Sequence, residues 1–145
     1  MSHFKICLYI VYLPPERSIR GRDADTFFEH LICKTYMYAK HDLSLILGDF
    51  NGRVGSKDDF VKEVDDITER SNIDDSVNKH GDALIEFCKD SKFVILNGRI
   101  TPENNNYTCI SVKGKSVVDY ILKLILCPVK KCRYCLSNRL CSVSI

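Results

Sequence analysis

The 145-residue sequence lacks any long apolar run. No stretch approaches the roughly 18 consecutive apolar residues that a helix needs to cross a bilayer. The segment 1–15 also lacks the features of a secretory signal, since it has one lysine, a short apolar run and no small-residue cleavage site. We therefore expect a protein inside the cell, either nuclear or cytoplasmic, with no membrane partner.

A strong excess of one charge is absent as well. The formal net charge is +2 and the isoelectric point is about 8.1, so the global charge does not require a nucleic acid or an anionic membrane as a partner. Internal repeats and low-complexity segments are also missing. With 45% hydrophobic residues, the chain is long enough for one domain with an apolar core and too short for two ordinary domains.

Acidic residues are missing from the last part of the chain. After Tyr120 there is no Asp or Glu, whereas five Lys or Arg residues occur there, together with Cys127, Cys132, Cys135 and Cys141. The spacing of these cysteines includes one C-x-x-C but no second close pair, so we do not expect a zinc site. We interpret 123–145 as a basic, Cys-rich tail of unknown fold, derived from a shifted reading frame or an alternative exon. Weak binding to nucleic acid through phosphate contacts is the alternative role.

The other four cysteines occur singly, one in each of four apolar segments: Cys7, Cys33, Cys88 and Cys109. Single cysteines in such segments are usually small buried hydrophobic residues of a reducing compartment. We expect these four thiols to be buried.

What the sequence does contain is an alternation of strand and helix patterns. The runs "FKICLYIVYL", "LSLILGD" and "KFVILN" are rich in apolar and β-branched residues, which is typical of strands. Between them, "DADTFFEHLICKTYMYAK" and "DALIEFCKD" have apolar residues at helical spacing, and Asp23 or Asp25 can cap the first helix. Further strands are predicted in "YTCIS" and "SVVDYILKLIL". This alternation predicts an α/β fold in which helices cover a sheet.

The segment "GDFNGRVG" follows the second predicted strand and has Asp49 and Asn51 two positions apart. In an extended backbone such residues project to the same side, so both can address one point. A carboxylate at the carboxyl end of a buried strand lies where α/β sheets bind ligands, and it can orient a water. The alternative is a hairpin with a type I′ turn at Asn51-Gly52. A calcium loop is excluded because Arg53 occupies a ligand position.

A second carboxylate, Asp119, lies in the apolar segment "KGKSVVDYIL". One interpretation is that Asp119 points to solvent on the alternate face of a strand. The other is that it points inward, where an isolated carboxylate is costly and needs a partner. In the second case Asp49 and Asp119 form one site with two inward carboxylates.

Four motifs occur in order along the chain: "YLPPERS", "LILGDFNGRVG", "ILNGRIT" followed by "YTC", and "GKSVVDYIL". In this order and at these separations they resemble the endonuclease/exonuclease/phosphatase superfamily. The resemblance is closest to the apurinic-type endonuclease domain of non-LTR retrotransposon polyproteins and of craniofacial-development-protein-like sequences derived from them. It extends from Phe4 to Leu122, so residues 1–122 are interpreted as a partial domain of this kind.

The resemblance implies a fold and an activity. Members of the superfamily are four-layer α/β sandwiches, with two packed mixed sheets flanked by helices, and this chain would contain an incomplete, central part of one. They hydrolyse phosphodiester bonds by in-line water attack with a divalent metal, usually Mg²⁺ or else Mn²⁺. The retroelement likeness implies DNA as the partner, and no obligate protein partner is implied.

The resemblance also implies roles for individual residues. Asp49 would align the attacking water, Asn51 would contact the scissile phosphate, and Tyr12 would hydrogen-bond to phosphate. Asp119 would orient a catalytic histidine or lie near the metal. The residues implied as substrate-binding are Asn97, Thr108 and Ser116 along the nucleic-acid groove, and also Asn78.

The chain departs from the superfamily pattern on both sides of the matched region. Relatives carry an asparagine and a metal-binding glutamate upstream, and a Ser-Asp-His segment downstream of the strand that holds Asp119. We expect both to be absent here. All histidines precede Asp119, namely His3, His30, His41 and His80. The metal ligands are therefore unknown, and two functions stay open: a phosphodiesterase domain fragment, or a catalytically inactive retroelement-derived remnant or interaction module.

Overall fold

A computed structural model of the chain describes residues 3–19, 23–38, 42–104 and 106–125. Its helices and strands, in chain order, are β1 (Ile6–Tyr12), α1 (Ala24–Met37), β2 (Leu43–Asp49), α2 (Lys79–Ser91), β3 (Phe93–Ile95), β4 (Cys109–Ser111), β5 (Gly114–Ser116) and β6 (Asp119–Leu124), with a 3₁₀ turn at Pro102–Asn104. Most of the predicted tail, including its four cysteines, lies outside the described residues.

Strands β1, β2, β6 and β3 form one four-stranded sheet in that spatial order, and β4 and β5 form a separate two-stranded hairpin. β1 and β2 run parallel, whereas β6 runs antiparallel to both of its neighbours. α1 lies between the two parallel strands in the chain, as a parallel crossover requires. The predicted α/β class is confirmed: the chain is a mixed α/β structure with two sheets and two helices, consistent with an α/β sandwich.

Both helices begin at side-chain caps. The Asp23 carboxylate accepts a hydrogen bond from Thr26 N at 3.2 Å, so Asp23, one of the two predicted caps, begins α1. Asn78 caps α2 by accepting from Gly81 N at 2.8 Å. α2 therefore begins earlier than the predicted segment, whose first residue is Asp82. Periodicity alone missed this because the first turn contains Lys79 and Gly81, which carry no apolar signal.

The two helices pack on one face of the four-stranded sheet and form the core with it. Phe28 of α1 and Phe87 of α2 have ring centroids 5.2 Å apart, and Phe28 also stacks with Phe50 at 6.1 Å. Beneath them, Ile46 and Leu122 are fully buried. Burial of these side chains is the main source of stability, since each contributes on the order of 1.5–3 kcal/mol when it leaves water.

The opposite face of this sheet is exposed to solvent. Along β1, alternate side chains are exposed, and residues paired across neighbouring strands point to the same side. This surface, called the open face below, consists of Ile6, Leu8, Ile10, Tyr12, Leu43, Leu45, Leu47, Asp49, Asp119, Ile121 and Lys123. The fold thus has one face covered by helices and, over β1, β2 and β6, one apolar face without cover among the described residues. On β3, Val94 shares this face with Lys123 and is buried.

Two strand predictions need correction. "SVVDYILKLIL" is not one strand, because β5 ends at Ser116 and β6 begins at Asp119. Between them, Val117 N donates to Asp74 Oδ2 at 2.9 Å and Val118 N to Thr108 Oγ1 at 3.0 Å, so side chains replace strand partners there. "KFVILN" forms only the three-residue β3.

The four described cysteines form no disulfide with one another, and only Cys88 is buried as expected. Cys7 and Cys33 are partly exposed, and Cys109 is exposed because the β4–β5 hairpin that carries it is solvated. In the described ranges, neither helix combines the length and apolarity that crossing a membrane requires.

Candidate active site

The ends of three neighbouring strands bring three predicted site residues into one row. Tyr12, the last residue of β1, pairs with Asp49, the last residue of β2, and Asp49 pairs with Asp119, the first residue of β6. Directly paired residues project to the same face, so all three side chains lie at one end of the open face. Asp119 therefore shares a face with Asp49, and this is the open face, opposite the buried Tyr120 and Leu122 of β6. The two carboxylates lie together as expected, but the interpretation that both point inward is wrong, because their side of the sheet faces solvent. The shared face is open among the described residues, so the two carboxylates are only partly buried.

The two carboxylates of this row lie on directly paired residues of neighbouring strands. Within the described ranges, neither Asp49 nor Asp119 forms an ion pair with a lysine, arginine or histidine. Burial raises the pKa of the Asp49 carboxyl above its ordinary value, and the charge of Asp119 adds to the rise, while hydrogen bonding by Asn51 opposes it. The arrangement therefore favours a proton or a cation at Asp49.

Asn51 lies in a loop that turns back onto the row. Its backbone is left-handed, with φ of 46°, a conformation that asparagine tolerates better than most residues. Asn51 N donates to Asp49 Oδ1 at 2.8 Å, and its side-chain Nδ2 donates to Leu13 O at 2.9 Å. The loop is thus tied to the ends of both β1 and β2, which keeps Asn51 beside Asp49.

The hairpin alternative for Asn51-Gly52 is wrong. A type I′ turn needs positive φ at both central residues, and Gly52 is not among the glycines with positive φ. After β2 the chain forms no adjacent strand; it makes an isolated bridge between Val54 and Val77. The backbone does turn at Asn51, but this turn changes the direction of the loop and does not close a hairpin.

Asn78 connects this loop to the first turn of α2. Its Oδ1 accepts from Arg53 N and Gly81 N, both at 2.8 Å, and its Nδ2 donates to Asn51 O at 2.9 Å. The contact is close: a Cβ on Gly81 would lie 1.9 Å from Arg53 O, so only glycine fits there. In this structure Asn78 positions the loop that carries Asn51.

Two other predicted residues hold the backbone on either side of Asp119. Asn97 Nδ2 donates to Asp119 O at 3.1 Å, and Asn97 Oδ1 accepts from Ile121 N at 3.0 Å. Thr108 Oγ1 accepts from Val118 N at 3.0 Å and from Asp119 N at 3.1 Å. Ser116 joins the same group through its carbonyl, which accepts from Thr108 N at 3.1 Å. These residues surround the start of β6.

Asp74 is a structural residue of the site that sequence reasoning missed. Its side chain is 5% exposed and accepts from Arg53 Nε at 2.9 Å, Val117 N at 2.9 Å and Ser76 N at 3.1 Å. Burial alone would raise the pKa of Asp74, but the hydrogen bonds from Arg53 and these backbone groups outweigh it and hold the pKa below its ordinary value. Nothing in the aperiodic polar segment that contains Asp74 distinguishes it from the neighbouring acidic residues.

The described residues contain no cluster of three or more His, Cys, Asp or Glu side chains arranged to hold a metal ion. The row itself provides two acidic side chains. Of the described histidines, His3 and His30 are exposed, and His80 is buried in the first turn of α2. The cysteines considered for zinc, and also His41, lie outside the described residues.

Comparison with known proteins finds two similar curated sequences. The chain is 32% identical over 122 residues to Craniofacial development protein 2 of Bos taurus, and 30% identical over 122 residues to Craniofacial development protein 2 of Tragulus javanicus. Each match covers 82% of this chain but only 19% and 20% of the relatives, so the chain spans about a fifth of their length. No family model matches the sequence. The similarity confirms the resemblance to craniofacial-development-protein-like sequences.

Proposed function

We propose that this chain carries the central part of a metal-dependent phosphodiesterase site of the endonuclease/exonuclease/phosphatase type, with DNA as substrate in the complete domain. The observation that carries the proposal is the row of Tyr12, Asp49 and Asp119, in which two carboxylates face each other without a basic partner among the described residues. The similarity to Craniofacial development protein 2 supports the assignment.

Phosphodiester hydrolysis needs an oriented water and stabilisation of negative charge on the phosphate oxygens. Asp49 supplies the first requirement, because its carboxylate lies at the end of β2 beside Asn51, where it can accept a hydrogen bond from the attacking water and orient it. Asn51, held beside Asp49, and Tyr12, which is 60% exposed, contribute uncharged hydrogen-bond donors for the phosphate. Asn97 and Thr108 act by fixing the backbone of Asp119.

The residues present fit a divalent metal in part. Two facing carboxylates attract a hard cation with oxygen ligands such as Mg²⁺ or Mn²⁺, and Asp49 and Asp119 are the residues that would hold it. When bound, the metal acts as a Lewis acid that stabilises charge on the phosphoryl oxygens. The remaining ligands and the transition-state histidine of complete relatives are not among the residues of this row.

A second function is favoured by the apolar open face. A chain that retains the fold but not the full catalytic set serves as an interaction module, and an uncovered apolar sheet is the surface that such a module uses. This function predicts no metal-dependent nicking of DNA.

Metal binding by the chain itself is the first test. We expect Mn²⁺ to bind the wild-type protein, detected by electron paramagnetic resonance or by broadening of the amide signals of Asp49 and Asp119. Asp49→Asn should abolish this binding because one of the two carboxylates is lost. The matched control is Asp66→Asn, which neutralises an exposed carboxylate elsewhere. Equal Mn²⁺ binding by wild type and Asp49→Asn would contradict the proposed metal site.

Catalysis is tested in a chimaera. Residues 4–122 replace the corresponding segment of a complete relative, which supplies the upstream Asn and Glu and the downstream Ser-Asp-His. We expect chelator-sensitive nicking of supercoiled plasmid that Asp49→Ala or Asn51→Ala reduces by about two to three orders of magnitude. A folded chimaera that binds DNA and never nicks it would show that the segment is a remnant, because groups that act as a unit lose activity together.

A further inference from the structure

Three hydrogen bonds join three segments beside the candidate site into a closed ring. Leu13 O, in the loop after β1, accepts from Asn51 Nδ2 at 2.9 Å. Asn51 O, in the loop after β2, accepts from Asn78 Nδ2 at 2.9 Å, and Asn78 caps α2. The first turn of α2 returns to the loop after β1, because His80 N donates to Glu16 Oε1 at 3.2 Å. Of the three side chains in this ring, Glu16 is the one that the sequence did not indicate as a site residue.

The loop after β1 is shaped so that Glu16 reaches α2. Ser18 N donates to Pro15 O at 3.1 Å, which closes a tight turn, and Arg17 has a left-handed φ of 62°. Glu16 occupies the second position of this turn. Its carboxylate meets the N-terminal end of α2, where unsatisfied N–H groups and the helix dipole favour a negative charge. The ring is therefore closed by a charge-assisted hydrogen bond.

We propose that Glu16 is a positioning residue of the candidate site: by closing the ring, its carboxylate fixes where Tyr12 and Asn51 lie relative to Asp49. Tyr12 directly precedes Leu13, and Leu13 N donates to Asp49 O at 2.9 Å. The Tyr12 side chain is 60% exposed, so its place depends mainly on the backbone of this loop. The consequence for catalysis rests on the proposed function, whereas the ring itself does not.

The ring leaves the row at the end of the open face free for a substrate. None of its three hydrogen bonds uses the side chain of Tyr12, Asp49 or Asp119. His80, whose N–H completes the ring, is buried, so this turn of α2 is fixed on the core. Glu16 therefore ties the loop after β1 to a part of the fold that does not move easily.

A matched control for Glu16 lies in the same cavity. The cavity has a volume of about 520 Å³ and is lined by the loop after β1 and the first turns of both helices, with Glu16 and Asp25 among its residues. Both residues are exposed, and within the described ranges Asp25 takes part in no ion pair. Asp25→Ala therefore removes the same charge from the same cavity and breaks no bond of the ring.

The first test follows the ring by NMR in the full chain. We expect Glu16→Ala to speed hydrogen exchange at His80 N and to shift the amide signals of Leu13 and Asn51, because the loop is released at one end. Glu16→Gln should keep the wild-type signals of Leu13 and Asn51, since its amide oxygen accepts the same hydrogen bond. Asp25→Ala should also leave these signals unchanged. Unchanged Asn51 signals in Glu16→Ala would overturn the proposal, because Glu16 would then act only on its own loop.

The second test measures DNA nicking by the chimaera that contains residues 4–122. Glu16→Ala should lower kcat about tenfold and change KM by less than about twofold, because a displaced Tyr12 and Asn51 fit the transition state less well. Glu16→Gln should restore most of the lost activity, and Asp25→Ala should match the parent chimaera. All variants should unfold at the parent's temperature, which excludes loss of folded protein as the cause.

The outcomes separate this proposal from the proposed function. A folded parent chimaera that never nicks DNA would overturn the proposed function and, with it, the catalytic role of Glu16. An active parent whose Glu16→Ala variant keeps the parent's kcat would overturn only the role of Glu16. Equal loss of kcat in Glu16→Ala and Glu16→Gln would show that the carboxylate acts through its charge and not through the ring, which also overturns the proposal.

Discussion

Two pairs of carboxylates in this chain are held in different ways. Asp59 and Asp74 are each bound by an arginine and by backbone N–H groups, whereas Asp49 and Asp119 face each other across neighbouring strands. The first pair joins segments that are distant in the sequence. The second pair has no arginine or lysine partner among the described residues, although Asp49 accepts a hydrogen bond from Asn51 N. Carboxylates that hold the fold are neutralised within the chain, whereas those of the candidate site keep an uncompensated charge among the described residues.

Asp59 shows how complete the neutralisation is. Its side chain is fully buried, and Arg99 binds it with two nitrogens at 2.9 and 3.0 Å. Ile95 N donates to it at 2.6 Å, and Arg70 Nε lies 3.9 Å away. Removing a carboxylate from water costs several kcal/mol, which only such a set of partners offsets. The partners also fix the polar segment after β2 against β3.

The largest effect is expected from breaking this buried group. Arg99→Ala should lower the free energy of unfolding by about 3–5 kcal/mol, because it leaves the Asp59 charge buried with fewer partners. Urea denaturation followed by circular dichroism measures the change. Lys62→Ala is the control, since Lys62 pairs with Asp58 at the surface and should have little effect. If the two variants were equally stable, the distinction between the two kinds of carboxylate would fail.

Asp74→Asn should have the next largest effect. It weakens the charge-assisted hydrogen bond to Arg53 and should cost about 2 kcal/mol at neutral pH. Because the folded-state pKa of Asp74 lies below its ordinary value of 3.8, this contribution is complete above that value and is lost as the pH falls through the folded-state pKa. The difference between wild type and variant should therefore shrink on acidification, which unfolding at several pH values measures. If the stability difference between wild type and Asp74→Asn grew on acidification, the predicted lowering of the Asp74 pKa would be contradicted.

Thr108→Val tests the support around Asp119. The isosteric change removes the oxygen that accepts from Val118 N and Asp119 N, and it should cost about 1 kcal/mol because water replaces part of the lost bonding. Hydrogen exchange at these two amides should become faster. Thr101→Val, at an exposed threonine, provides the control. Unchanged exchange at Asp119 would show that Thr108 does not hold the start of β6.

The smallest expected effect has the opposite sign. Asp49→Asn should raise the free energy of unfolding by about 0.5 kcal/mol, a modest figure because the carboxylate is only partly buried and is screened by water. Since the folded-state pKa of Asp49 is raised, the ionised carboxylate destabilises the folded state above that pKa, and the penalty disappears as the pH falls. The increase in the free energy of unfolding should therefore be seen at neutral pH and disappear at acidic pH.

A double-variant measurement sharpens this last prediction. If Asp49 and Asp119 repel each other, neutralising both should stabilise the chain by less than the sum of the two single changes. Thermal unfolding of Asp49→Asn, Asp119→Asn and the double variant provides the values. Strict additivity would mean that the two carboxylates do not interact. Mutual repulsion would then not explain the raised pKa of Asp49.

Much of the local structure could be predicted from the chain. The apolar runs that become β1 and β2, and the helical spacing of α1, depend on neighbouring residues and are visible in the sequence. The start of α2 and the break before β6 could not be predicted. The start of α2 depends on the Asn78 cap, which carries no apolar signal. The break before β6 depends on Asp74 and Thr108, whose side chains come from elsewhere in the chain.

The sequence by itself determined the α/β class and the presence of Asp49 and Asn51 at the end of a strand, because periodicity and turn chemistry are local properties. Tertiary structure alone decided that Asp49 and Asp119 face each other, since their register depends on pairing between β2 and β6, which are far apart in the sequence. It also decided which acidic residues gain an arginine and which face of the sheet stays open. Those outcomes depend on long-range packing, which no local pattern encodes.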